Sequence, residues 1–117
     1  MFEWLFKLLI GHAFADFAFQ HHNFALGKNR HNDPPGYKPE IHGKKQAAWI
    51  YYLAAHALIH GGLVYAITGH IALGFIETCS HFLIDAGKCE RLYGIHVDQA
   101  LHFIFKASYA LALVTYG

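Results

Sequence analysis

The sequence predicts an all-α fold: a four-helix transmembrane bundle with a polar core in its cytoplasmic half. Three observations predict it. Hydrophobic residues make up 55% of the chain and Asp, Glu, Lys and Arg only 15%, against roughly 25% charged residues in an average soluble domain. Four apolar stretches of near-bilayer length follow one another, separated by polar loops. Each stretch also carries ionisable residues four apart, which share one face of a helix. Burying so many titratable groups is costly unless they pair with one another or bind a cation. Mean hydropathy is only +0.23, because eleven histidines and the polar loops dilute it. A soluble bundle around a buried site is therefore the competing fold. At 117 residues the chain is a single domain, 1–117.

The first span is expected over residues 2–19. Ala13-Phe14-Ala15 matches a signal-cleavage pattern, but the preceding apolar core is short and interrupted by Glu3 and His12, so an uncleaved helix is expected. The loop 21–46 follows, with Asp33-Pro34-Pro35-Gly36 and Pro39 breaking helices. It reads as an irregular lid or a short amphipathic piece. The second span is expected over 47–67, where Gly61-Gly62 permits close helix packing or a kink. Thr68-Gly69 makes a turn, and the third span follows over 70–86, with Gly87 as its C-cap. The fourth is expected over 97–116, with Asp98 in its first turn, where an acid suits the helix dipole. Each span approaches the ~20 residues a bilayer requires.

Charge placement orients this bundle. Lys28, Arg30, Lys38, Lys44, Lys45, Lys88 and Arg91 all fall in loops on one side, seven of the nine basic residues. The positive-inside tendency then puts these loops in the cytoplasm of a bacterial inner membrane, with both termini outward. Trp4, Trp49, Tyr51 and Tyr52 fit interfacial belts. The net charge of +1 provides no field for nucleic acid. Cys79 and Cys89, ten residues apart on a helix, lie about 15 Å apart along its axis and are read as free thiols.

The polar stripes carry the chemistry. His56-x-x-x-His60 puts two imidazoles on one face, a zinc or iron pair without the glutamate of H-E-x-x-H helices. Glu77-x-x-x-His81-x-x-x-Asp85 mixes carboxylates and imidazole, the ligand set of zinc, iron and manganese. Glu77 is the deepest of these, placed to orient a ligand or to act as a general base. His12-x-x-x-Asp16-x-x-x-Gln20 repeats the logic, with Gln20 as a hydrogen-bond donor, and Asp98-x-x-x-His102 adds a fourth pair. Each stripe has a plainer alternative: hydrogen-bonded core histidines, an Asp85–Lys88 salt bridge, or a capping role for Asp98. Taken together, in the four-span arrangement they meet at one depth in the cytoplasmic leaflet. The metal set is then His12, Asp16, His56, His60, His81, Asp85, Asp98 and His102, enough for one metal or for two sharing a bridging carboxylate. Lys88 and Lys106 are candidates to stabilise an anionic group, although a salt bridge from Lys106 to Glu77 is the simpler reading. His21, His22, His31, His42 and His96 are read as solvated, His70 as interfacial, and Gly27-Lys28-Asn29-Arg30 as a basic turn.

The runs Gly11-His12-x-x-x-Asp16-Phe17-x-x-Gln20, His56-Ala57-Leu58-Ile59-His60-Gly61, His81-Phe82-x-Ile84-Asp85-x-x-Lys88 and Asp98-Gln99-x-x-His102 resemble a family of small bacterial and phage membrane proteins, domain of unknown function 3307. The resemblance spans nearly the whole chain. It implies a polytopic helical membrane protein and brings no activity. A looser likeness in His and Asp placement is to membrane-bound metal-dependent hydrolases.

The leading expectation is a metal-dependent hydrolase with a divalent zinc, iron or manganese ion. It would act near the cytoplasmic leaflet on a lipid or a lipid-linked phosphate or ester, or on another anionic small molecule. Two alternatives are carried beside it. One is a metal-ion or proton transporter, for which a homo-oligomer would complete the path. The other is a phage-type membrane effector that binds a host protein through the loop 21–46.

Overall fold

The computed structural model describes residues 1–20, 22–33, 35–42 and 47–117. Helix α1 (Phe2–Ala13) begins with an exposed Glu3–Lys7 pair one turn apart, 2.6 Å long. It runs directly into a π-helical turn, Phe14–Ala18, closed by a bond from the Phe19 N–H to the Phe14 carbonyl, 2.7 Å. The expected first span is thus one α-helix with a wider last turn. Single π turns are frequent at functional sites, and this one carries the buried Asp16. Short helices α2 (His22–Gly27) and α3 (Pro39–His42) occupy the loop, α3 opening on proline, whose fixed φ suits a first helical position. Lys44, Lys45 and His21 lie outside the described residues.

Helix α4 (Trp49–Thr68) ends at Gly69, whose φ of 73° is left-handed and whose N–H bonds the Tyr65 carbonyl at 2.8 Å. Helix α5 (Ile71–Cys89) passes through Gly87 rather than stopping there. A Cβ at Gly87 would lie 2.5 Å from the Tyr93 hydroxyl, and that hydroxyl donates to the Ile84 carbonyl. The glycine is therefore a packing site for the Tyr93 ring and not the expected cap. Helix α6 (Ile95–Tyr116) starts two residues earlier than expected, after Gly94. No strand occurs among the described residues.

The long helices pack in a ring: α1 on α4, α4 on α5, α5 on α6, and α6 back on α1. The interior has two halves. Leu8, Val64, Tyr109 and Ala110 form an apolar cluster, with Trp4, Leu5, Ile67, Leu73 and Phe105 against it. The other half, nearer the loop between α1 and α4, is polar. The outside is apolar: Phe2, Phe17, Phe75 and Leu83 are 69–88% exposed. Among the described residues, only Trp49–Thr68 qualifies by length and composition as a membrane span. The expected four spans are thus met as four packed helical segments, of which one meets that criterion. The reason is local: α5 carries Glu77, Asp85 and Lys88, and α6 carries Asp98 and Lys106, while α1 is only twelve residues long.

Candidate metal centre

Backbone contact between α4 and α5 sets the site. A Cβ on Gly61 would stand 1.8 Å from Thr78 Oγ1 and 2.5 Å from the Gly74 carbonyl oxygen, so the helices touch main chain to main chain. Gly62, expected to share this role, faces open space. The close crossing brings His56 and His60 of α4 against Glu77, His81 and Asp85 of α5, all at most 1% exposed. Helix α6 adds Asp98, His102 and Lys106, equally buried, and the π turn adds Asp16.

Three imidazoles converge on one carboxylate oxygen. Asp16 Oδ1 lies 3.0 Å from His60 Nε2, 3.2 Å from His56 Nε2 and 3.8 Å from His81 Nε2. The four donors lie within 4.8 Å of one another. Metal–ligand bonds of about 2.0–2.2 Å at tetrahedral angles place donors about 3.3–3.6 Å apart, so this cage has the size of a cation site. The two shorter separations also suit hydrogen bonds; His81 does not. Its Nδ1 faces Glu77 Oε1 at 3.3 Å, while its buried Nε2 has no hydrogen-bond partner. That nitrogen stands 3.8 Å from Asp16 Oδ1 and 3.7 Å from Asp85 Oδ2. With the proton on Nδ1, held by Glu77, a lone pair on Nε2 looks at two carboxylate oxygens too far away to bond. A carboxylate behind an imidazole is the usual orienting partner of a metal-ligating histidine.

A second group lies alongside: Asp85, Asp98 and His102. His102 Nε2 is 3.3 Å from Asp85 Oδ1 and 3.5 Å from Asp98 Oδ1. Imidazoles stack between the groups, His60 on His81 at 3.5 Å and His81 on His102 at 4.1 Å between ring centres. Lysines close both ends. Lys106 donates to Glu77 at the apolar end. At the loop end, Lys28, 5% exposed, donates to Asp85 Oδ2 at 2.8 Å and to Gln20 Oε1 at 2.7 Å. The segment bearing Lys28 is tied down outside by Glu90, which takes Arg30 and His31. The Arg30 hydrogen bond, followed by that from His31, holds the Glu90 carboxyl down to about 2. Beside Lys28 opens a cavity of about 450 Å³, also lined by Arg30, Trp49, Phe82 and Glu90.

Most residues expected at the site meet there. His12 stands at its edge, its Nε2 3.1 Å from Gln99 Oε1 and 3.4 Å from Asp16 Oδ2, and it joins none of the donor groups. Lys88 is 27% exposed and reaches Asp98, not Asp85, at 3.5 Å. Asp98 caps nothing: Gly94 is the N-cap of α6. Two residues escaped the sequence reading. Gln99 Nε2 donates to Asp16 Oδ2 at 2.9 Å and to Asp98 Oδ2 at 3.1 Å, tying the two groups together; its place three residues before His102, on the same face, was the available signal. Lys28 was expected only as part of the basic turn Gly27-Lys28-Asn29-Arg30, because a loop must fold back to deliver it to Asp85. His22, His31 and His96 are exposed as expected, His70 is exposed at the N-cap of α5, and Cys79 and Cys89 are both free.

A family model described as "Protein of unknown function (DUF3307)" matches residues 4–116. The chain belongs to this family. No curated protein and no solved structure matches it. The family description carries neither an activity nor a membrane, so it lends no support to the looser likeness to membrane-bound metal-dependent hydrolases.

Proposed function

We propose that this protein is a multi-pass membrane metalloenzyme, a hydrolase holding one divalent cation between Asp16, His56, His60 and His81. The observation that carries the proposal is the orphaned Nε2 of His81, aimed at two carboxylates. Charge supports it as well. Among the described residues, Asp16, Glu77, Asp85 and Asp98 are buried with only Lys28 and Lys106 as buried lysines. With the imidazoles neutral, as metal ligation requires, two negative charges remain and match one divalent ion. An unpaired buried charge is strongly unfavourable.

Four protein donors complete a zinc tetrahedron, whereas iron or manganese would keep positions open toward Asp85. A cation with an open position activates water and polarises an ester or phosphoryl oxygen. This chain's residues then do the rest. Glu77 fixes the His81 ring, Lys106 neutralises Glu77, and Lys28 offers a positive charge where the cavity meets the site. An anionic lipid or lipid-linked substrate of the cytoplasmic leaflet fits that approach. The stacked imidazoles favour a second reading, a proton or ion relay. Against it, the cluster of Leu8, Val64, Tyr109 and Ala110 plugs the far end.

Metal analysis of the protein purified in detergent tests the proposal. One iron, manganese or zinc per chain is expected, with loss in His81→Ala and His56→Ala. A metal-free protein that takes up none on loading, and whose variants melt unchanged, would overturn it. Ion flux in liposomes dependent on Asp85 would favour the relay.

A further inference from the structure

We infer that the centre takes a second divalent cation, held by Asp85, Asp98 and His102 and bridged to the first through Asp85. This rests on the metal reading above.

Asp85 faces both groups at once. Its Oδ2 lies 3.3 Å from His56 Nε2 and 3.7 Å from His81 Nε2, while its Oδ1 lies 3.3 Å from His102 Nε2. Oδ1 thus belongs to the second donor set, while Oδ2, which also takes Lys28 at 2.8 Å, faces two imidazoles of the first; a carboxylate so placed can bridge two ions about 3.5–4 Å apart. An independent observation points to the same place. Asp98 is fully buried, its Oδ1 has no hydrogen-bond partner, and that oxygen is aimed at His102 Nε2, 3.5 Å away. The other Asp98 oxygen is occupied by Gln99 and Lys88. A buried carboxylate oxygen left unsatisfied is costly, and a cation between Asp98, His102 and Asp85 would satisfy it. Two carboxylates and one imidazole suit manganese, iron or magnesium and leave coordination positions open.

Charge then names the substrate class. One divalent ion already balances the buried carboxylates and lysines. A second adds two positive charges, and these call for a dianion to enter with it. The phosphomonoester group is that dianion, and two ions about 3.5–4 Å apart clamp such a group in phosphoryl transfer. Lys28, at the cavity, lies on its way in. Binding of the second cation and of a phosphomonoester are therefore coupled, each strengthening the other.

The test is a Mn²⁺ titration of the protein in phosphatidylcholine nanodiscs, followed by bound-metal analysis and electron paramagnetic resonance. It has three arms: no addition, inorganic phosphate, and phosphatidic acid in the disc. Two Mn²⁺ per chain with an exchange-coupled spectrum are expected when a phosphate dianion, free or as the monoester headgroup of phosphatidic acid, is present. The phosphate arm responding alone identifies a soluble source, and the phosphatidic acid arm responding alone a lipid one. Asp98→Asn and His102→Gln should hold one Mn²⁺ with an uncoupled six-line spectrum in every arm. Two ions in Asp98→Asn, or one ion per wild-type chain in all arms, would overturn the second site and leave the first standing. No ion in any arm would remove the reading on which it rests. Two ions regardless of phosphate would support the site and refute its coupling to a dianion.

Discussion

At the scale of single residues, the buried glutamate carries two duties that mutation can separate. Glu77 holds the His81 ring and neutralises Lys106, and both it and Lys106 are 1% exposed. Glu77→Gln leaves the Lys106 charge buried without a counter-ion, which costs about 3–5 kcal/mol when a buried pair is broken. It also removes the carboxylate behind His81, and losing such a partner lowers metal affinity about 10–100-fold. The double variant Glu77→Gln/Lys106→Met has no stranded ammonium. It is expected to recover most of the melting temperature in detergent and none of the metal affinity. Recovery of both would mean that Glu77 acts only as a structural counter-ion.

At the scale of elements, the α4–α5 crossing decides whether the histidines meet at all. Gly61→Ala sets a methyl 2.5 Å from the Gly74 carbonyl oxygen, a main-chain atom that cannot yield without moving its helix. Overpacking of this kind costs about 1–3 kcal/mol. It should separate His60 from His81, lowering both the melting temperature and bound metal. Gly62→Ala, with nothing within 4 Å, should change neither; equal effects at the two glycines would refute this account. This pair also shows what was legible in the sequence. Apolar length located all four long helical segments, and four-residue spacing found every member of the two donor groups, because both are local properties of a helix. The π turn, the passage of α5 through Gly87 and the arrival of Lys28 were not legible. Each depends on contacts distant in sequence: Asp16 with α4, Tyr93 over Gly87, Lys28 on Asp85. The tether of the Lys28 segment makes a pH prediction. Glu90 is held at about 2, below the ordinary 4.5, so its contribution is complete above 4.5 and fades as pH falls toward about 2. Glu90→Gln should speed hydrogen exchange at residues 28–32, and its difference from the parent should vanish over that same fall. A difference that persists at pH 2 would assign the tether elsewhere.

At the scale of the whole molecule, the distribution of polarity is inverted. Six ionisable groups on the inner face of α5 and α6, Glu77, His81, Asp85, Asp98, His102 and Lys106, are all at most 1% exposed. Meanwhile Phe2, Phe75, Leu83 and Ile104 face outward. Water would favour the reverse, since exposed apolar patches on monomeric soluble proteins are small, whereas a bilayer tolerates apolar exteriors and confines charge to bundle interiors. Helix hydropathy averages over both faces, so an inward acid lowers the score of a helix whose outer face is fully apolar. Cys79 tests the membrane proposal with the protein's own chemistry. It is exposed near the middle of α5, and Cys89 is buried. Thiols react with maleimides as thiolates, which neither form in hydrocarbon nor meet a charged reagent there. In a Cys89→Ala background, Cys79 in intact membranes should resist a charged maleimide and react once the protein is unfolded in detergent. A cysteine placed by His96→Cys, at the exposed start of α6, should react from the cytoplasmic side in both conditions. Rapid modification of Cys79 in intact membranes would put α5 in water and return the fold to a soluble bundle built around the same metal centre.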